Sequence, residues 1–442
     1  MEKVIAFVSL GCAKNQVNCE QMMHLLAEAG YEVRSAEAPE TVEADAVIIN
    51  TCGFIESAKA EAIDQILSYG AAKAEGRIAK LIATGCLTQR YCAEILAELP
   101  ELDAAVGTGS YGEIADVVDR VFAGERVGRF GDIDAPDLEC GRVLPSMNAW
   151  AYLKIAEGCD NRCAYCVIPD IRGHYRSRPM ENLLAEAEGL AAQGIQELIV
   201  VAQDITRYGT DLYGRRMLAE LLKKLCELPF PWIRLHYLYP DEIDDELIDV
   251  IAGEEKILKY LDIPIQHIND GILRSMRRRG TSAEIRALLK KLRDRIPGLV
   301  LRTSLITGLP GEGEAEFREL CDFLEETRIQ RAGAFAYSPE EGTDAERMER
   351  PSAELAEERA AAVEALQQRI MSDFNRSRIG TTCQVLCEDY DGEYWYGRSY
   401  AESPDIDGNI AFTGEGMILG GFYPVTITGE RPDGTPVGEV AE

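Results

Sequence analysis

Cys159, Cys163 and Cys166 stand at C-x3-C-x2-C spacing in the run Glu157-Gly158-Cys159-Asp160-Asn161-Arg162-Cys163-Ala164-Tyr165-Cys166. Three thiolates this close together on a loop can hold three corners of a cubane iron–sulfur cluster and leave the fourth iron open to a small molecule. An open iron is a catalytic feature. The same thiols with His174 as a fourth ligand would also satisfy a tetrahedral zinc, so the spacing by itself leaves two readings.

A second trio is scattered in sequence but regular in context. Cys12 follows an apolar run at residues 4–10, Cys52 one at 46–50 and Cys86 one at 79–84. Read as parallel strands, these runs put each cysteine just past a carboxyl end, the edge where open α/β sheets gather their ligands. The three thiols can then converge on a second cluster. Gly11, Gly53 and Gly85 adjoin them, and a residue without Cβ lets the backbone come close to a bulky inorganic group. The other seven of the 13 cysteines read as core or incidental thiols. Cys19, Cys92, Cys226 and Cys321 fall in helical stretches and Cys140 in a linker, while Cys383 and Cys387 share one strand face.

Other signals are weaker. Gly107-Thr108-Gly109-Ser110-Tyr111-Gly112 matches G-x-G-x-x-G but follows a late strand and lacks the acidic partner, so it reads as a turn and helix cap. Gln203-Asp204 and Gly308-Leu309-Pro310-Gly311-Glu312 each close a strand candidate and face a pocket or simply turn the chain. Arg277 to Arg279 reads as a solvated run, with binding of an acidic group as the other reading. His236 and His267, near strand ends, suit core positions as well as catalysis.

The elements that must position these residues alternate regularly. From residue 3 to about 125, strand-like runs at 4–10, 31–35, 46–50, 79–84 and 102–106 alternate with helical stretches at 19–29, 56–75, 90–99 and 111–122. That pattern implies right-handed crossovers and an open parallel α/β sheet covered by helices. Residues 132–145, with Gly, Pro and acidic side chains, read as a linker. A second series has strands at 151–156, 197–202, 232–237, 259–264, 300–306 and 332–337. Six units are too few for a closed eight-stranded barrel and predict a partial (β/α)6 barrel, with its chemistry at the carboxyl ends. The Cys159 run opens from the first of these strands, a place that a zinc knuckle has no need to occupy. Residues 353–376 predict a long closing helix. Short strands at 383–387, 394–399, 409–412 and 421–428 among Gly-rich turns then predict a small antiparallel β-barrel. The expected division is residues 1–130, a linker at 131–146, then 147–375 and 376–442.

With 442 residues, 46% of them hydrophobic, the chain can bury several cores. Its apolar runs fall far short of the roughly 20 residues that cross a bilayer, and residues 1–10 read as a strand rather than an export signal. No membrane association is therefore expected. Many cysteines without an export signal point to the reducing cytoplasm, where thiols serve as metal ligands rather than disulfides. The net charge of −30 repels nucleic acid phosphate and favours basic partners.

Several segments resemble a known family. Tyr152-Leu153-Lys154-Ile155-Ala156-Glu157-Gly158-Cys159, Cys163-Ala164-Tyr165-Cys166-Val167-Ile168-Pro169 and Ile171-Arg172-Gly173 are similar to the core signature of the methylthiotransferases. These are radical S-adenosylmethionine (SAM) enzymes that insert sulfur into a C–H bond and methylate it. The resemblance spans essentially the whole chain and implies an N-terminal cluster-binding domain, a radical SAM core and a C-terminal TRAM domain. One kind in the family acts on tRNA adenosine and another on an aspartate of ribosomal protein S-twelve. Val201-Ala202-Gln203-Asp204-Ile205-Thr206-Arg207-Tyr208-Gly209, Arg234-Leu235-His236-Tyr237-Leu238-Tyr239-Pro240 and Tyr260-Leu261-Asp262-Ile263-Pro264-Ile265-Gln266-His267 resemble the protein-modifying kind. Ile205, where that kind more often has threonine, is the one small departure.

The resemblance implies two 4Fe-4S clusters. The one on Cys159, Cys163 and Cys166 would chelate SAM and reduce it to methionine and a 5'-deoxyadenosyl radical, which takes hydrogen from the β-carbon of the aspartate. The one on Cys12, Cys52 and Cys86 would deliver sulfur, and a second SAM the methyl group. No catalytic residue beyond the cluster ligands is implied. Tyr165, near the SAM adenine, and Gln203 and Asp204 are the expected cofactor contacts, and an electron donor is required. Residues 376–442 hold four arginines, no lysine and twelve acidic residues, a net of −8. A groove for RNA should be basic with stacking aromatics. The expected partner is therefore the basic ribosomal protein, in or near the 30S subunit, although Tyr394, Trp395 and Tyr396 could pack against either. A tRNA modifier and a non-catalytic iron–sulfur or zinc carrier stay as alternatives at this level.

Overall fold

Six parallel strands form the first sheet of the computed structural model, in which residues 3–145 and 149–441 are described. They are β1 (Val4–Ser9), β2 (Glu32–Ser35), β3 (Ala44–Thr51), β4 (Ile78–Gly85), β5 (Ala104–Val106) and β6 (Val127–Arg129), in the order β2-β1-β3-β4-β5-β6. Val47 to Ile49 and Leu81 to Ala83 are buried because helices cover both faces, which is why such strands read as unbroken apolar runs. β6 escapes sequence reading: three residues containing Gly and Arg carry no strand pattern. The register sets Ser9 beside Asn50 and Thr51 beside Gly85. The ends of β1, β3 and β4 therefore finish together.

The second sheet runs β14-β13-β12-β11-β10-β7, all parallel and open between its outer strands. Its members are β7 (Trp150–Lys154), β10 (Glu197–Val201), β11 (Trp232–Leu235), β12 (Ile257–Asp262), β13 (Val300–Thr307) and β14 (Arg331–Ala336). Six strands with helices between them make the partial barrel expected. The run at 151–156 is divided: β8 (Ala156–Glu157) leaves the sheet to pair antiparallel with β9 (Arg176–Ser177). The closing helix spans Ala353–Ser377.

The stretch read as a linker is not a loose tether. Asp137 pairs with Lys154 at 2.9 Å, Glu139 with Arg178 at 2.6 Å, and Arg142 with Glu186 at 2.7 Å. All three cations are buried, so the segment is sewn along the seam between the first two sheets. The expected boundary at 146/147 lies outside the described residues.

The last unit is a closed barrel of β15 (Thr382–Tyr390), β16 (Trp395–Arg398), β17 (Ile410–Thr413), β18 (Phe422–Glu430) and β19 (Pro436–Val440). Four of its pairings are antiparallel, and β17 with β19 is parallel. The loop at residues 399–407 leaves this barrel and enters the partial one, where Ala401, Glu402 and Ser403 are buried. There Glu402 meets Arg331 at 3.0 Å, Ser403 meets His236 Nε2 at 2.9 Å, and Asp407 accepts from Tyr260 at 2.5 Å. No helix among the described residues is long and apolar enough to cross a membrane.

Candidate functional site

All six cysteines singled out by spacing line one cavity of about 440 Å³. Cys12 caps the helix Ala13–Glu28 from an extended backbone, Cys52 follows β3, and Cys86 opens the short helix Cys86–Arg90 after β4. Asn15 ties these ends together. Its Nδ2 donates to Leu10 O at 2.7 Å and Thr51 O at 3.2 Å, while Asn50 Nδ2 donates to Asn15 O at 2.6 Å. Cys159, Cys163 and Cys166 come from the loop after β8.

The flanking glycines also meet a demand that the sequence does not show. A Cβ on Gly11 would stand 2.7 Å from Cys52 Cβ, one on Gly53 2.7 Å from Leu87 Cα, and one on Gly85 2.5 Å from Thr51 O. Neighbouring loops demand their smallness. Gly11 and Gly85 also sit at φ +86° and +101°, where side chains are strained.

Charge is concentrated between the trios. Arg172 reaches from the second sheet to Cys86 Sγ at 3.3 Å and to the Asn15 and Asn18 side chains at 3.1 Å each, and it pairs with Glu157 at 2.8 Å. Lys154 holds Glu157 from another side at 2.9 Å. Burial pushes the Cys52 thiol up to about 12 and the Cys159 thiol to about 11, and it raises Cys86 and Cys166. Burial acts the same way on Cys12, but Lys14 and Arg172 outweigh it and bring that thiol below its ordinary value.

Of the expected cofactor contacts, Tyr165 and Gln203 line the cavity and Asp204 does not. The Asp204 carboxylate is spent on Thr206 N and on Asn161 Nδ2, both at 3.0 Å, which makes it a holder of the loop carrying Asn161. His174 turns to Asp160, Nδ1 to Oδ1 at 2.9 Å, on an exposed surface. Among the described residues no three His, Cys, Asp or Glu side chains close on a single-ion site. Gly308 to Glu312 form a turn buried except at Gly311, with Glu312 bound to Gly308 N at 2.9 Å and Arg359 at 2.8 Å. His236 and His267 are core residues.

Sequence reasoning gave no role to Lys14 or Arg172 and favoured a solvated reading of Arg278, yet all three line the cavity. Arg278 departs from the solvated run expected at 277–279. It is turned inward against the Tyr239 ring at 4.3 Å, while Arg277 pairs with Asp344 and Arg279 with Asp241 and Glu242. Nothing in three consecutive arginines marks the middle one; tertiary packing decides it.

The radical SAM superfamily profile matches residues 153–324, the TRAM domain profile residues 379–432, and the profile of uncharacterized protein family UPF0004 residues 4–107. The ribosomal protein uS12 methylthiotransferase RimO of Lachnoclostridium phytofermentans is 46% identical over 430 residues, covering 96% of this chain and 97% of that protein. Its counterpart from Pelobacter propionicus is 46% identical, covering 99% and 98%. The chain belongs to the RimO family. Solved structures agree on the architecture at greater distance. The radical SAM methyltransferase TsrM of Kitasatospora setae, with cobalamin and a 4Fe-4S cluster bound, matches at TM-score 0.58 and 15% identity, covering 78% of this chain and 77% of that one. The cobalamin-dependent SAM radical enzyme OxsB matches at TM-score 0.54 and 13% identity, covering 83% and 56%.

Proposed function

We propose that this chain is a cytoplasmic radical SAM methylthiotransferase that replaces a hydrogen on the β-carbon of an aspartate in ribosomal protein uS12 with a methylthio group. SAM and two 4Fe-4S clusters would serve it, one on Cys159, Cys163 and Cys166, the other on Cys12, Cys52 and Cys86. The observation that carries this reading is that two thiol trios, from separate sheets, open on one cavity.

The donor set suits these groups. Each thiolate of a cubane binds a different iron, and three cysteines from each unit line the cavity to supply such a donor set. The Gln203, Tyr239 and Tyr337 side chains line the cavity, and their buried Oε1, Oη and Oη atoms have no hydrogen-bond partner among the described residues. Buried polar atoms are seldom left so, and side-chain rotation would turn them to a polar molecule such as SAM.

When bound, the clusters and SAM supply a carbon radical able to take hydrogen from an unactivated C–H bond, together with the sulfur and methyl that replace it. The chain's own residues bind, orient and exclude water. Ile168, Leu238, Ile306 and Phe335 give the cavity an apolar lining that disfavours water. Arg172, anchored by Glu157, locks the two trios into one frame. Asp204 and Asn161 stiffen the loop that bears the first trio.

The acidic C-terminal barrel favours a basic protein as partner over RNA. Its aromatics are also engaged: Trp395 stacks on Tyr390 at 4.4 Å, and Arg431 lies over Tyr394 at 4.3 Å. An electron donor completes the set of partners, and the substrate is met in or near the 30S subunit. The test supplies anaerobically reconstituted enzyme with SAM, a reductant and either uS12 or tRNA. Mass spectrometry should find one methylthio group on an aspartate of uS12. Modification of tRNA adenosine instead would overturn the substrate, and absence of 5'-deoxyadenosine would overturn the chemistry.

A further inference from the structure

The chain carries a net −30, yet three cations reach its central cavity. Two of them have evident protein partners. Arg172 is paired with Glu157 at 2.8 Å. Arg278 donates to Pro264 O, stacks on Tyr239 and lies 4.0 Å from Cys163 Sγ, at the end of the first trio. Lys14 is different. It is only 7% exposed and makes no ion pair among the described residues. Its ammonium rests 3.6 Å from the centroid of the Tyr237 ring. Tyr237 is itself held at φ +63°, a costly conformation for a residue with a side chain and one that clusters at functional sites.

The anionic group nearest to it in chain and charge is the Cys12 thiol, a cluster ligand, and no carboxylate meets it among the described residues. A buried ammonium is expensive to keep without one, so the cavity's occupant is expected to bring a carboxylate. Arg278, beside Cys163, is the cation that would meet an anionic group of SAM held at the Cys159 trio. Lys14 is two residues from Cys12, at the other trio. We infer that Lys14 is the receptor for the side-chain carboxylate of the substrate aspartate, and so a specificity-determining residue; this rests on the protein-substrate reading above. The carbon that reacts is bonded directly to that carboxylate. Clamping the carboxylate therefore fixes the reacting carbon as well, and asparagine, of the same shape, offers no charge to clamp.

The experiment measures equilibrium binding of holoenzyme, with SAM but no reductant, to uS12 carrying aspartate or asparagine at the modified position. Wild type should prefer the aspartate form by about tenfold or more, the usual scale for losing one partner of a desolvated charge pair. Lys14→Gln should bring the two forms within about twofold by weakening only the aspartate form, and Lys14→Arg should keep the preference. Retention of the preference in Lys14→Gln, or equal weakening of both forms, overturns the inference. A change confined to iron content does the same, because it marks a counter-ion of the cluster. If wild type ignores both forms and binds tRNA, the substrate reading falls first and the inference with it, an outcome distinct from the others.

Discussion

Cysteine at the right place does two separate jobs in this site, and single substitutions should separate them. Cys163→Ala removes a ligand at the SAM end, so 5'-deoxyadenosine formation should vanish. Cys86→Ala removes one at the far end. Iron content should fall from about eight to about four per chain, on the stoichiometry of two cubanes. SAM cleavage should persist, with methylthio transfer lost. If 5'-deoxyadenosine disappears equally in both variants, the division of labour between the trios is wrong. At this scale the ligands were legible because thiols at fixed offsets from strand ends are rare. The cations were not. Lys14 and Arg278 sit among ordinary polar neighbours in sequence, and only the direction in which each side chain turns brings it to the cavity.

The elements act through where they stop. Parallel register aligns the ends of β1, β3 and β4, and the loops that follow pass so closely that glycine is required at three points. Gly85, at φ +101° and ψ −152°, occupies a region essentially closed to other residues. Gly85→Ala should therefore cost about 1–3 kcal/mol or more from backbone strain, with a further penalty for displacing Thr51 O. A lower thermal midpoint and reduced iron uptake by the Cys12 trio, with SAM binding retained, would report it. The linker gives the contrary lesson. Its composition read as a tether, yet its acidic residues are anchors for the buried Lys154 and Arg178. Composition registers that a segment is irregular, not whether cations across the seam await it.

At the scale of the whole molecule, the third unit is built into the second. Glu402, at the tip of the intruding loop, is buried, which alone would raise its carboxyl. Arg378 and Arg331 outweigh burial and hold it at about 2, against an ordinary 4.5. A carboxyl depressed in the folded state stabilises fully above its unfolded value, so this contribution is complete above about pH 4.5 and is lost as pH falls toward 2. Thermal midpoints should thus be insensitive to this group from pH 8 to 5 and fall below 4.5. Glu402→Gln, which strands two guanidinium groups, should cost about 3–5 kcal/mol at neutral pH and flatten the acid limb. Net charge belongs to this scale too. Association with uS12 should slow as salt rises, since screening weakens the pull of an acidic enzyme on a basic protein. Salt-independent association rates would argue that charge does not guide the encounter.

From residues alone, alternating apolar runs and helical stretches determined two parallel sheets and a terminal barrel, and cysteine spacing determined six candidate ligands. Those signals are local, since period and offset survive without knowing what lies across the chain. Tertiary structure alone decided that Arg172 spans the two trios and that Asp204 lies off the cavity. It also decided that a loop from the last barrel closes the middle one. These are long-range facts. They depend on which buried charge finds its partner from another sheet, and in the dry interior that pairing outweighs any preference written in neighbouring residues.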